Sequence, residues 1–169
     1  MIGKGRQMPD NHHTPESVPC KASVDVGSYL SGYADGEGCF SVSFSKSQRH
    51  KFGWEIRPSF SVSQNADRAE VLRIFKERLQ CGSIRPDRSD KTLKFETRCI
   101  GDLVGRVIPH FEQHPLLSSK REDFARFAQI CRMMHADEHL AREGFEAVVK
   151  LAEQVNNGKR KFPREQIKL

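Results

Sequence analysis

The sequence predicts an α+β domain in which hairpins form one antiparallel sheet and helices cover its apolar face. Three observations lead there. Cys39 to Lys46 and Trp54 to Gln64 alternate apolar and polar side chains with the two-residue period of half-buried strands. Val71, Leu72, Phe75 and Leu79, and later Phe124, Phe127, Ala128 and Cys131, recur at helical spacing. The 169 residues suffice for one domain with a real core, not for two full domains.

Residues 1–24, rich in Gly, Pro, His and charge, read as a flexible leader, and the domain is expected over 25–157. Asp25 is placed to cap a first helix that carries Leu30, Tyr33 and Ala34 at helical spacing and stops at Gly36 and Gly38. Gly32 and Gly36 lie four apart on one face, where missing side chains let another helix approach closely. Asp35 and Glu37 sit at the negative end of this helix, a poor place for a carboxylate unless a cation neutralises it, and a hard cation such as magnesium suits that end.

In the first strand Phe40, Val42 and Phe44 face inward. A polar turn, Ser47 to Gly53, leads to the second, where Trp54, Ile56, Phe60 and Val62 point inward and Pro58 signals an irregularity or a free edge. A helix over Asp67 to Leu79 is closed by Cys81-Gly82. Short strands at Ser83–Pro86 and Leu93–Cys99 follow, then a helix over Asp102 to Phe111 that Pro109 limits. Helices from Ser119 to Met134 and Leu140 to Val155 complete the domain, and residues 158–169 form a mobile basic tail.

The sheet's other face carries Ser41, Ser43, Ser45, Arg57, Ser59, Ser61, Arg85, Lys94 and Arg98. For a single strand this is an ordinary solvated surface. Several strands of hydroxyls and cations suit phosphates and base edges, and a net charge of +6 points to an anionic partner, of which nucleic acid is the commonest. Five cysteines without a Cys-x-x-Cys pair read as reduced thiols. No apolar run spans a bilayer, so no membrane partner is expected. The N-terminus resembles neither a signal nor a transit peptide, which points to a bacterial cytoplasm and its nucleoid ahead of an organelle.

Leu30-Ser31-Gly32-Tyr33-Ala34-Asp35-Gly36-Glu37-Gly38, with Tyr29 before it and an alternating strand after it, resembles the motif of the LAGLIDADG homing endonucleases. Phe60-Ser61-Val62-Ser63-Gln64 with Asp67-Arg68, and Leu117-Ser118-Ser119-Lys120-Arg121 with Asp123-Phe124, resemble two further segments of that family. The resemblance covers Val26 to Phe127 and one copy of the motif. It implies an αββαββα domain with a saddle-shaped sheet on double-stranded DNA, followed here by additional C-terminal helices. It also implies a homodimer joined through Leu30, Gly32, Tyr33 and Gly36, and a double-strand cut at a long, near-palindromic site in the service of an intron or intein. Glu37 and the Gly36 carbonyl would hold Mg2+, for which Mn2+ can substitute. Gln64 would orient water, while Arg68 and Lys120 would stabilise developing charge. Glu37 stands where the family commonly has Asp, and Ser31 where it commonly has Ala. The alternative is a nucleic-acid-binding relative without cleavage, a maturase or transcription regulator.

Outside that resemblance, His135-Ala136-Asp137-Glu138-His139 matches the H-x-x-E-H zinc-peptidase pattern, but no apolar framework surrounds it and a charged helix junction is the expected role. His110 and His114 read as surface residues, and Met133-Met134 as core or interface filling.

Overall fold

The computed structural model describes residues 23–87, 91–158 and residue 167. Most of the expected leader, and the expected tail apart from Gly158 and Ile167, lie outside the described residues, and Ile167 is buried against the core. The elements are α1 (Val26–Glu37), β1 (Gly38–Lys46), β2 (Trp54–Asn65), a 3-10 turn (Ala66–Arg68), α2 (Glu70–Leu79), β3 (Ser83–Pro86) and β4 (Thr92–Thr97). A continuous helical run follows, made of α3 (Ile100–Asp102), a π turn (Leu103–Val107) and α4 (Ile108–Gln113). Then come α5 (Lys120–His135), a 3-10 turn (Glu138–Leu140), α6 (Arg142–Glu153) and a last 3-10 turn (Val155–Gly158). The expected order of helices and strands holds.

The four strands form one antiparallel sheet in the order β1-β2-β4-β3. Phe40, Val42, Phe44, Trp54, Ile56, Phe60, Val62 and Phe95 are all buried on its inner face, as the two-residue alternation requires. Pro58 pairs with Val42 of β1, and β4 joins β2 only from Phe60 onward, so the proline sits where β2 has a free side and its missing N–H breaks no second ladder. Helices close the inner face with aromatic rings. Phe40 lies 5.0 Å from Phe60, 5.3 Å from both Phe111 and Phe124, and 5.4 Å from Phe127, centroid to centroid. Strands β1 and β2 are thereby tied to α4 and α5 at one point. Along β1, Phe145 of α6 packs 5.1 Å from Phe52 in the hairpin turn, and Asn156 Nδ2 donates to the Phe40 carbonyl at 2.6 Å, covering the edge strand.

Three local readings need correction. The residue that closes α2 is Gln80, in the left-handed region at φ 50°, whose N–H bonds Lys76 O. Gly82, also left-handed at φ 73°, instead lets the chain pass Glu96 O and the Phe95 ring, which an added Cβ would meet at 2.8 and 2.9 Å. Pro109 does not limit its helix, which continues to Gln113. The widened turn just before it carries an Ile108 N–H to Leu103 O bond, five residues back, and this shift of register accommodates a ring that would otherwise strike a carbonyl of the preceding turn. That extension carries two histidines inward.

His110 and His114 are therefore not surface residues. His110 is 6 % exposed, and its Nε2 has no hydrogen-bond partner among the described residues. The His114 ring packs on Gly27, where a Cβ would come within 2.3 Å of it. Its Nδ1 lies 3.5 Å from Asp25 Oδ2, and its carbonyl accepts the Ser31 hydroxyl at 2.6 Å. Asp25 caps α1 as expected, accepting from the Gly27 and Ser28 amides. Cys39, Cys81, Cys99 and Cys131 are free thiols, and burial pushes Cys131 up to about 12.

Burial first, then the charges of His114 and Arg78, push His110 down from its ordinary value to about 4, against the pull of Asp25. The unfolded chain takes up a proton below about pH 6.5 and the folded one does not until about pH 4, so stability falls with falling pH through that window. The expected loss is about 1.4 kcal/mol per pH unit. Urea unfolding at pH 7 and pH 4.5 should show it in the wild type, and His110→Gln should flatten the slope.

Candidate active site and nucleic-acid face

Helix α1 buries Gly27, Leu30, Ser31 and Ala34 against its own domain and exposes Tyr29, Gly32, Gly36 and Glu37. Leu30 is fully buried, one turn from Ala34 on the inner face, so it belongs to the protomer's core and not to a surface that a partner could reach. At Gly32 and Gly36 an added Cβ would meet nothing within 4 Å. The helix ends without a left-handed cap. Gly38 is extended at φ −78°, ψ 151°, already the first residue of β1, and its N–H bonds Ala34 O. A Cβ there would lie 2.6 Å from that carbonyl oxygen and 2.9 Å from Ala34 Cα, so glycine is required by closeness and not by torsion.

Lys120, the first residue of α5, completes the cap. Its Nζ donates to Ala34 O at 2.9 Å and to Gly38 O at 2.7 Å, carbonyls that bracket Gly36 and Glu37 and lie at the negative end of the α1 dipole. Asp35 reaches the other way. It accepts from the Leu117 and Ser118 amides at 2.8 and 3.1 Å and from the Ser118 hydroxyl at 2.7 Å, which fixes the entry to α5. Burial raises its pKa, but the Ser118 hydroxyl, the two amides and the Lys120 charge outweigh that and hold it below the ordinary carboxylate value. Asp35 is thus a brace between α1 and the start of α5. Glu37 is exposed and makes no hydrogen bond or ion pair among the described residues.

Gln64, near the end of β2, donates through Nε2 to the Tyr33 hydroxyl, one turn before Glu37, and its Oε1 accepts the Asn65 amide at 2.7 Å. Burial pushes the Tyr33 phenol up against that hydrogen bond, and the charge of Glu37 adds to the rise. Gln64 and Lys120 are therefore both bonded to the last turn of α1. Arg68 is not. It ends the 3-10 turn after β2, exposed, with no hydrogen bond or ion pair among the described residues.

On the sheet's polar face the Ser41 and Ser59 hydroxyls share a 2.8 Å hydrogen bond, Ser43 donates to Arg57 O at 3.3 Å, and Ser45 to Glu55 Oε2 at 3.5 Å. Ser59 and Ser61 are only 9 % and 6 % exposed, Ser59 with its hydroxyl bonded to Ser41 and Ser61 flanked by Cys39 and Glu96 on the adjacent strands, so they are not open contact points. Nor is the face purely cationic. Arg57 pairs with Glu55 at 2.6 Å, and Arg85 and Arg98 both pair with the buried carboxylate of Glu96. Glu96 was legible from alternation two residues after Lys94.

The chain matches the family model described as LAGLIDADG endonuclease over residues 30–131. It belongs to the LAGLIDADG endonuclease family. A relative named probable intron-encoded endonuclease 2, from Neurospora crassa, is 32 % identical over 139 residues, which are 82 % of this chain and 31 % of the relative. The chain spans about a third or less of the length of the first such relatives, at 31 %, 25 % and 24 %. The crystal structure of the homing endonuclease I-TnaI superposes with a TM-score of 0.74 at 32 % identity, covering 79 % of this chain and 89 % of that one. The I-LtrWI LAGLIDADG homing endonuclease bound to target DNA gives 0.76 at 29 % identity, covering 80 % of this chain and 46 % of that one.

The LAGLIDADG motif thus occupies α1, and the two further resembling segments fall at the end of β2 and the start of α5. The zinc-peptidase spacing has no helical face to act on. His135 ends α5, Asp137 turns left-handed at φ 59°, and Glu138 and His139 lie in a separate 3-10 turn. No group of three His, Cys, Asp or Glu side chains able to hold a metal occurs among the described residues. Gly38→Ala, by forcing a Cβ onto the Ala34 backbone that Lys120 caps, should cost about 1 to 3 kcal/mol, read as a lowered thermal midpoint.

Proposed function

We propose that this LAGLIDADG chain is one protomer of a homodimeric, metal-dependent homing endonuclease that cuts both strands of a long, near-palindromic DNA site, in the service of an intron. One observation carries the reading: Glu37 is an exposed carboxylate without a partner, on the last turn of a helix whose neighbouring carbonyls are already held by Lys120. The neighbour I-LtrWI is bound to target DNA, and the Neurospora relative is named as intron-encoded, which supports the substrate and the context. No described helix is long and apolar enough to cross a membrane.

The donors offered at this helix end, the Glu37 carboxylate and the Gly36 carbonyl, are hard oxygens, a set that fits Mg2+ or Mn2+. One chain offers a single free carboxylate there, so a complete site needs the Glu37 of a second copy and the phosphates of the substrate. A bound divalent ion supplies an activated water and neutralises charge on the phosphate under attack. The side chains around it position and stabilise. Lys120 uses two of its three N–H donors on α1 carbonyls, which leaves one for a phosphate or water oxygen beside Glu37. Gln64, held through Tyr33 and Asn65, keeps one amide N–H and one lone pair to orient water. Arg68, exposed and unpaired among the described residues, is free to meet the scissile phosphate once DNA is present.

The second copy is supported by the exposed side of α1. Gly32 and Gly36 leave the backbone bare, Tyr33 is half-buried beside them, and Tyr29 at 48 % and Leu117 at 91 % exposure offer apolar area. A chain with one motif needs such a partner to cut two strands, and the single copy matches about half of I-LtrWI but most of I-TnaI.

Two measurements test this. With magnesium and the uninterrupted DNA around the insertion point, the wild type should cut both strands, and Glu37→Gln should bind that DNA but cut at least about a hundredfold more slowly. Binding by the wild type without cleavage under magnesium or manganese would refute the nuclease reading. In sedimentation, the wild type should run as a dimer and Gly32→Leu as a folded monomer, since an added Cβ meets nothing within 4 Å in its own protomer.

A further inference from the structure

Strand β4 places Glu96 opposite Ser61 of β2 and Ser83 of β3, on the polar face, at 9 % exposure. Both of its oxygens are occupied. Oε2 accepts from Arg85 Nη2, and Oε1 accepts from Arg98 Nη2 at 3.0 Å. The two arginines remain 50 % and 57 % exposed, so the carboxylate lies beneath and the rest of each guanidinium reaches solvent. A buried acid in the middle of a face assigned to DNA is at odds with the expectation of cations alone, because it repels the phosphates that such a face should attract.

The geometry points to Glu96 as a positioning residue that holds Arg85 and Arg98 as base readers instead of phosphate clamps. The inference rests on the proposed reading that this sheet binds DNA. A guanidinium has five N–H donors in a rigid plane, and anchoring one of them to a fixed carboxylate restricts that plane while leaving donors for a second acceptor. The base with two acceptors spaced for such a fork in the major groove is guanine, through O6 and N7. The charge argument agrees. Arg85, Arg98 and Glu96 together carry one net positive charge instead of two, which weakens the sequence-blind pull of phosphates relative to the directional bonds to a base edge. Lys94, directly opposite both Arg85 and Ser63, retains its positive charge beside the trio and suits the phosphate role.

A purely structural role is available for comparison. Arg85 and Lys94 are like charges on facing positions, and Glu96 relieves their repulsion. That role predicts a less stable Glu96→Gln protein with an unchanged base preference. The test is selection of binding sites from a randomised duplex library by the full chain, for the wild type, Glu96→Gln, Arg85→Ala and Arg98→Ala, with thermal midpoints recorded for each. Each arginine variant should lose preference at its own guanine-containing base pair in each half-site. Glu96→Gln should weaken both preferences by about tenfold. Its binding to random-sequence DNA should tighten and fall more steeply with salt, by about one further released ion per protomer. The exposed arginine variants keep the test open if Glu96→Gln does not fold. The inference is overturned if Glu96→Gln lowers only the thermal midpoint, or if the arginine variants weaken all sequences equally. A wild type that enriches no sequence would instead remove the DNA-reading assignment itself.

Discussion

The interaction on which the structure depends is the exchange of caps between α1 and α5. A helix that must turn directly into a strand has no room for a left-handed terminal residue, and Gly38 accordingly begins β1 in an extended conformation. The carbonyls left at that end need a donor from elsewhere in the chain. Lys120 supplies it from 82 residues downstream, while Asp35 returns three hydrogen bonds to the segment that starts α5. Each helix therefore satisfies the end of the other. The sheet is positioned by the same exchange, since β1 starts at the capped residue. Glu37, lying inside this frame but not consumed by it, is left with a defined backbone and a free carboxylate.

The two faces of the sheet meet different demands. Inside, the phenylalanines converge because β1, β2 and β4 each present large rings at alternate positions and α2, α4 and α5 supply more from above. Outside, the same alternation leaves hydroxyls and charges, and the charges are largely paired with one another: Glu55 with Arg57, and Glu96 with two arginines. A paired arginine is less mobile and less sticky than a free one. Under the proposed role of this face in reading DNA, that restraint matters more than raw attraction.

Much of this was legible in the sequence, and the reasons differ by residue. The inner-face residues of β1 and β2 follow from strict alternation, and Asp25 as a cap follows from its place before the first helical residue. The resemblance around α1 located Glu37, Gln64 and Lys120 on elements that the structure brings to one helix end. Exposure was harder to foresee. Leu30 reads as part of the motif's outer contact but is a core residue, because only the packing decides which side of a short helix faces home. Ser59 and Ser61 alternate outward and are nonetheless buried. The burial of His110 and His114 follows from a π turn that carries the helix past Pro109, and a register shift of one residue leaves no mark on composition or spacing. Glu96 alternates onto the same face as Lys94 and Arg98, but nothing in the sequence marks an acid between cations as one buried beneath two guanidiniums.

The free side of β2 at Pro58 has a mechanical consequence. From Lys46 and Trp54 back to about Ser41 and Ser59, β1 and β2 form a two-stranded ribbon, since β4 begins to pair only at Phe60. A two-stranded ribbon twists more easily than a sheet. This one is propped from beneath by α6, through Phe145 under Phe52 near the tip, and by the 3-10 turn after it, through Asn156 on the Phe40 carbonyl near the root. Helix α6 lies beyond the segment that the family model matches, which ends at residue 131. It works as a strut under a cantilever: it sets how far the distal half of the sheet can bend, while the end that carries Glu37 is clamped separately by Lys120. Stiffness at the two ends of the surface can therefore change independently, so the outer hairpin can follow a different curvature in a related protein without moving the helix end at which the carboxylate sits.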